Sequence, residues 1–113
     1  MEINTHTEGS GTIANGSASH AEGSYTLTLG MSSHSEGYFT IASGNYSHAE
    51  GCETIANGEN SHVSGTYNIK DTNNEYVEIV GNGTYSGNRA NARTLDWKGN
   101  AWFAGDVYVG GTG

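Results

Sequence analysis

The five histidines of this chain, His6, His20, His34, His48 and His62, follow one another at a fixed step of fourteen residues. Glycines at 9, 23, 37, 51 and 65 keep the same step, and so do Gly16, Gly30, Gly44 and Gly58. A unit opens on a segment such as Ser19-His20-Ala21-Glu22-Gly23 and continues through a short linker into a segment such as Thr40-Ile41-Ala42-Ser43-Gly44. The fifth unit is degraded: it reads "SHVSG" and then "YNIKDTNN", with Ile69 at the aliphatic position and no closing glycine. The register is lost at Asp71–Asn74. A repeat this short excludes helical solenoids, whose units need about 33 residues or more. Five-residue segments rich in Thr, Ile and Ser and closed by Gly read as strands with turns. One unit is then one coil of a parallel β-solenoid, stacked on the next at about 4.8 Å, and five coils make a rod of about 20–25 Å. The chain divides into a repeat region, 1–70, and a C-terminal region, 71–113.

Side chains alternate between the two faces of a strand. In Ser-His-Ala-Glu-Gly, Ser and Ala share one face, and His and Glu the other. In Thr-Ile-Ala-Asn-Gly, Thr and Ala share one face, and Ile and Asn the other. The small set (Ser19, Ala21, Thr26 and Thr28; Ser47, Ala49, Thr54 and Ala56) suits the narrow inside of a flattened coil. The outside then carries two stripes. One is a polar ladder of His6, Glu8, His20, Glu22, His34, Glu36, His48, Glu50 and His62; the other is aliphatic: Ile13, Leu27, Ile41, Ile55 and Ile69. A contiguous exposed apolar stripe marks an interface. Identical chains supply the partner by symmetry, so the aliphatic stripe is expected to bury itself between copies.

Composition agrees with an unusual core. Hydrophobic residues make up 34% of the 113 residues, glycines number 18, and there is no proline. So short a chain, poor in large aliphatics, cannot build a generous monomeric core. The formal net charge is −8, and no Lys or Arg precedes Lys70. Nucleic acid is an unsuitable partner for this acidic repeat region, because phosphate binding needs clustered basic residues. The single Cys52 cannot form an intrachain disulfide. No apolar run approaches the length of a membrane span, and the N-terminus has no signal-peptide pattern.

Tandem units of the type S-x-A-x-G-x-x-[ST]-x-A-x-G resemble the head repeats of YadA-like trimeric autotransporter adhesins. "SHSEGYFTIASGNYSHAEG" (Ser33–Gly51) carries the likeness most fully, and it extends over about residues 5–70. The resemblance implies a left-handed parallel β-roll in a homotrimer, with one side of each roll packed on its neighbours. Those adhesins typically carry aliphatic residues where this chain has His and Glu. The "SHAEG" version is similar to head-like repeats in tail-fibre and appendage proteins of phages and prophages of Gram-positive bacteria. The segment Glu75–Gly113 also resembles one found downstream of such repeats in phage structural proteins. The implied role is a structural segment of a trimeric fibre, in a tail appendage, that extends and presents a host-recognition surface. The alternative is the head of a bacterial surface adhesin that binds host matrix or glycans. The implied partner is the chain itself, with a host-surface glycan or protein as a further one; the implied location is a virion appendage or the bacterial surface.

His and carboxylate are suitable metal ligands, and His20, Glu22, His34, Glu36, His48 and Glu50 are the candidates for a transition metal. The preferred reading is structural: a repeated outward-facing pair, with no metal, cofactor or catalytic residue expected. Enzymes rarely need one dyad in identical copies, and no His-Glu-x-x-His, Gly-x-Ser-x-Gly or P-loop lysine motif occurs. Tyr25, Tyr38, Phe39, Tyr46 and Tyr67 fall in the linkers, as roll-edge packing or as exposed aromatics for glycans.

The C-terminal region reads as β again. Tyr76–Val80 alternates as a strand; Thr94–Trp97 and Ala101–Gly105 flank a Lys98-Gly99-Asn100 turn as a hairpin. Asp106–Gly110 reads as one more strand. Trp97, Trp102 and Phe103 are expected to form the core of a small β cap that closes the roll.

Overall fold

The computed structural model describes residues 4–110, and these are all-β, with no helix among them. Strands β1 (His6–Ser10), β3 (His20–Ser24), β5 (His34–Ser35), β7 (His48–Ala49), β9 (His62–Thr66) and β10 (Tyr76–Asn82) run parallel in that order. Antiparallel β11 (Asn91–Asp96) and β12 (Ala101–Phe103) extend them to an eight-stranded sheet. Strands β2 (Ile13–Ala14), β4 (Leu27–Thr28), β6 (Ile41–Ala42) and β8 (Ile55–Ala56) form a second, parallel sheet of four. Each of the first four fourteen-residue units thus gives one strand to each sheet and makes one coil. Like residues pair across coils: His20 lies beside His34, Ile41 beside Ile55. The solenoid expected from the period is the observed fold.

The inside of the coil is as small as the alternation requires. Ala21, Ala42, Ala49, Ala56, Ser35, Thr28, Thr40 and Thr54 are fully buried, and Ser19, Ser33 and Ser47 nearly so. Hydroxyl groups in so dry a space must find acceptors, because an unpaired buried polar group costs about 1–3 kcal/mol. They find them at the corners. Ser19, Ser33, Ser47 and Ser61 each donate to the carbonyl three residues earlier, that of Gly16, Gly30, Gly44 and Gly58, at 2.5–2.7 Å. Thr26, Thr40 and Thr54 donate to the carbonyls of Glu22, Glu36 and Glu50, at 2.8–3.0 Å. The repeated Ser and Thr are therefore staples that close the two turns of each coil. No buried side-chain polar atom among the described residues lacks a partner.

The corners also explain the glycines. Gly9, Gly23, Gly37, Gly51 and Gly65 hold φ between +93° and +106°. A Cβ on any of them would lie 2.0–2.3 Å from the carbonyl oxygen of the glycine in the next coil. The stacking distance thus leaves room for hydrogen only. Positive φ recurs every seven residues at non-glycine positions too: Ala18, Ser32, Tyr46 and Asn60 on one corner, Tyr25, Phe39, Glu53 and Tyr67 on the other. Such a backbone costs a non-glycine residue about 1–2 kcal/mol. The amides at 25, 32, 39, 46, 53, 60 and 67 each bond a carbonyl of the preceding coil at 2.8–3.1 Å, which offsets part of that cost.

The roll does not end where the fourteen-residue register does. Strand β10 pairs in parallel with β9 after a step of sixteen: Glu78 lies beside His62, Ile79 beside Val63 and Gly81 beside Gly65. The two extra residues fall in the turn after Asp71, whose buried carboxylate accepts from the amides of Asn73, Glu75 and Tyr76. The four-stranded sheet, by contrast, stops at β8. Asn68, fully buried where other coils have Thr, accepts from the amide of Ile55 at 2.7 Å and donates to its carbonyl at 3.1 Å. One side-chain amide thus takes the place of a neighbouring strand.

Two expectations for the C-terminal region require correction. The hairpin forms, but Trp97, Trp102 and Phe103 are 48%, 53% and 43% exposed and make no core in this chain. Trp102 and Phe103 lie on β12, the marginal strand of the sheet, and Trp97 in the turn after β11. The buried residues here are Ile79 and Thr94 on the preceding strands. Residues 106–110 form no strand, and Val107, Tyr108 and Val109 are exposed.

Candidate functional site: the histidine–glutamate ladder

Alternation puts His and Glu of each unit on the outer face of the larger sheet, and parallel in-register pairing stacks them coil on coil. The imidazole rings lie 4.7–4.9 Å apart from His20 to His62, tilted by only 3°, 15° and 22°. Hydrogen bonds run between coils. Nε2 of His20, His34, His48 and His62 meets Oε1 of Glu8, Glu22, Glu36 and Glu50 at 3.1, 2.8, 2.8 and 2.6 Å. Each glutamate is bonded to the histidine twelve residues later. The like-charge column of glutamates, which would repel at this spacing, is thereby interleaved with donors.

The degraded fifth unit has a local reason. A glutamate at position 64 would face the next coil at the place where Glu78 replaces histidine. The chain has Ser64 there, and Glu78 pairs instead with Arg93 of β11 at 2.5 Å. The ladder therefore ends in a conventional ion pair. Sequence reasoning missed both residues, because the sixteen-residue step hid Glu78 from the repeat.

The rungs differ at the N-terminal end. The His6 and His20 rings cross at 84°, with centroids 4.6 Å apart. Glu8 Oε1 lies 3.6 Å from His6 Nε2 and 3.1 Å from His20 Nε2, so that two imidazoles face one carboxylate oxygen. Four groups, His6–Glu8–His20, His20–Glu22–His34, His34–Glu36–His48 and His48–Glu50–His62, keep their donor atoms within 4.8 Å of one another. Side chains of the three inner groups are about one-third to just under one-half exposed; His6 and Glu8 are more open.

The aliphatic stripe lies on the outer face of the four-stranded sheet. Ile13, at its first strand, is 50% exposed, and Leu27, Ile41 and Ile55 are half-buried; Ile69, expected to continue the stripe, lies past the last strand of that sheet and is 51% exposed. Leu29 and Met31 add exposed apolar surface beside it. The linker aromatics gather on the corners. Tyr25 and Phe39 stack at 5.0 Å, and Gly11 leaves room for the Tyr25 ring, since a Cβ there would sit 2.6 Å from it. Tyr25 nevertheless stays 53% exposed. Tyr67 donates to Glu53 at 2.7 Å, which pushes its hydroxyl pKa up to about 12. The Arg89 guanidinium lies 5.6 Å from the Tyr67 ring centre and donates to the carbonyls of Glu53 and Asn68, tying the C-terminal region to the roll. A shallow groove lined by Ile69, Tyr76, Thr94 and Trp102 opens where the smaller sheet stops.

No protein-family profile, curated protein or solved structure matches this chain.

Proposed function

We propose that this chain is a rigid, structural segment of a homotrimeric fibre of the YadA-like head type, built into a phage or prophage tail appendage, where it extends and presents a host-recognition surface. The observation that carries this reading is the aliphatic stripe. Four large aliphatic side chains, Ile13, Leu27, Ile41 and Ile55, line up in register on one outer face of a solenoid whose own inside takes only Ala, Ser, Thr and a few larger residues. Covering them requires another surface with the same rise per coil, and a second copy has that rise by construction. A threefold arrangement closes such contacts into a ring. The form suits a spacer: the described residues span 49 × 28 × 27 Å, and the coils are tied by backbone bonds along the long direction. A structural rather than catalytic role agrees with the use of histidine, since each inner imidazole repeats the same bond to a carboxylate.

The test is absolute mass in solution by light scattering or sedimentation equilibrium. The expected mass is three times the 11.8 kDa of the chain. Ile41→Lys, which puts a charge in the middle of the stripe, is expected to dissociate the assembly. A wild-type chain that stays monomeric at high concentration sinks the proposal.

A further inference from the structure

We propose that His6, Glu8 and His20 form a binding site for a divalent transition metal ion of the Zn2+ class, and that the inner rungs of the same ladder do not. All three side chains belong to one chain, so the site does not depend on the oligomeric state. A tetrahedral Zn2+ with ligand bonds of about 2.1 Å places its donor atoms about 3.4 Å apart. Glu8 Oε1 lies 3.6 and 3.1 Å from the two Nε2 atoms, which brackets that separation. The His6 and His20 rings cross at 84°, so their planes intersect, as one ion lying in both planes requires. A metal ion must lie near the plane of each imidazole that binds it, and crossed planes share such a point.

The inner rungs fail on the same criterion. Their rings are stacked 4.7–4.9 Å apart and within 22° of parallel. Parallel planes that far apart share no point, and an ion midway between them lies out of both. Their Glu–His distances of 2.6–2.8 Å are hydrogen bonds, shorter than tetrahedral donor spacing. Binding there requires the column to unstack. At the first rung, exposure keeps the cost of access low and leaves the remaining coordination positions to water. On binding, the ion takes the place of the Nε2 proton between His20 and Glu8, and the ring stays neutral by carrying its proton on Nδ1 instead. Two imidazoles with one carboxylate favour Zn2+, Co2+ or Ni2+ over Mg2+ or Ca2+, which prefer oxygen. A bound ion would clamp β1 to β3 through side chains as well as backbone.

The experiment is calorimetric titration of the tag-free protein with ZnCl2, with Co2+ absorption in the visible as a second readout. One ion per chain is expected. His6→Ala and Glu8→Gln should each weaken binding by at least the ~10–100-fold that loss of even an outer-shell partner costs. His48→Ala, an inner-rung change, should leave affinity and stoichiometry as in wild type. A circular dichroism spectrum of each variant verifies that the roll is intact. Failure of the wild type to bind Zn2+ overturns the proposal. So does wild-type affinity in His6→Ala, or a loss in His48→Ala as large as in His6→Ala.

Discussion

Replacing Gly37 by alanine should be among the most damaging single-methyl changes available to this chain. Gly37 holds φ at +104°, and a Cβ built there lies 2.2 Å from the carbonyl oxygen of Gly51. Two costs add. A non-glycine residue in that backbone region costs about 1–3 kcal/mol. Forcing a methyl against a backbone atom with no room costs about 1–3 kcal/mol more, since the oxygen belongs to the next coil and cannot rotate away. The sum, about 2–6 kcal/mol, is a large part of the total for a chain of 113 residues, about 6–17 kcal/mol. Gly99 separates the two costs. Its φ is +88°, but no atom lies within 4 Å of where its Cβ would be. Gly99→Ala should therefore show the backbone cost alone, and Gly105→Ala, with open space and no positive φ, should be near neutral. Chemical denaturation of the three variants at one fixed protein concentration measures the differences; fixing it holds constant any contribution that self-association would add. If Gly37→Ala costs no more than Gly99→Ala, the coils are not stacked as closely as described, and the account of the corner glycines is wrong.

Other outcomes follow from the same structure. Asn68→Ala removes the side chain that terminates the smaller sheet and leaves the Ile55 amide and carbonyl unpaired; about 2–4 kcal/mol should be lost in denaturant unfolding. Ala18→Asn, at an exposed corner with φ of +57°, places a residue that tolerates this region and should raise stability by about 0.5–1 kcal/mol. Tyr67, raised to about 12 by its bond to Glu53, keeps its proton beyond the ordinary value of 10.0. Its contribution is therefore fully present below pH 10 and is lost as pH rises from there through about 12; ultraviolet titration should find a late tyrosine that Glu53→Gln brings earlier. Asp96 is held below its ordinary value, chiefly by the amide of Asn100. Its contribution is present above that ordinary value and is lost as pH falls through the lowered one, so tryptophan fluorescence should report fraying of the β11–β12 hairpin on the acid side of the ordinary value and not above it.

Much of the fold was legible because one number, fourteen, recurs. The period excluded helices, and alternation within each segment assigned Ser, Ala and Thr to the inside and His, Glu and Ile to the outside. The C-terminal aromatics were misread for a reason that alternation cannot supply: whether Trp102 is covered depends on tertiary packing, and on the marginal strand β12 it stays 53% exposed. Glu78 was missed because two inserted residues broke the count, while parallel pairing with β9 carried on across them.

The opening motif shows the division most clearly. Spacing alone placed a histidine and a glutamate on the same outer face of every coil, since both facts follow from the two-residue period of a strand. Which histidine bonds which glutamate was not in the spacing. Stacking in register brings each carboxylate within reach of the next coil's imidazole, twelve residues away, and only the packed structure sets that reach. It also sets the tilt of each ring, parallel along the inner ladder and crossed at His6.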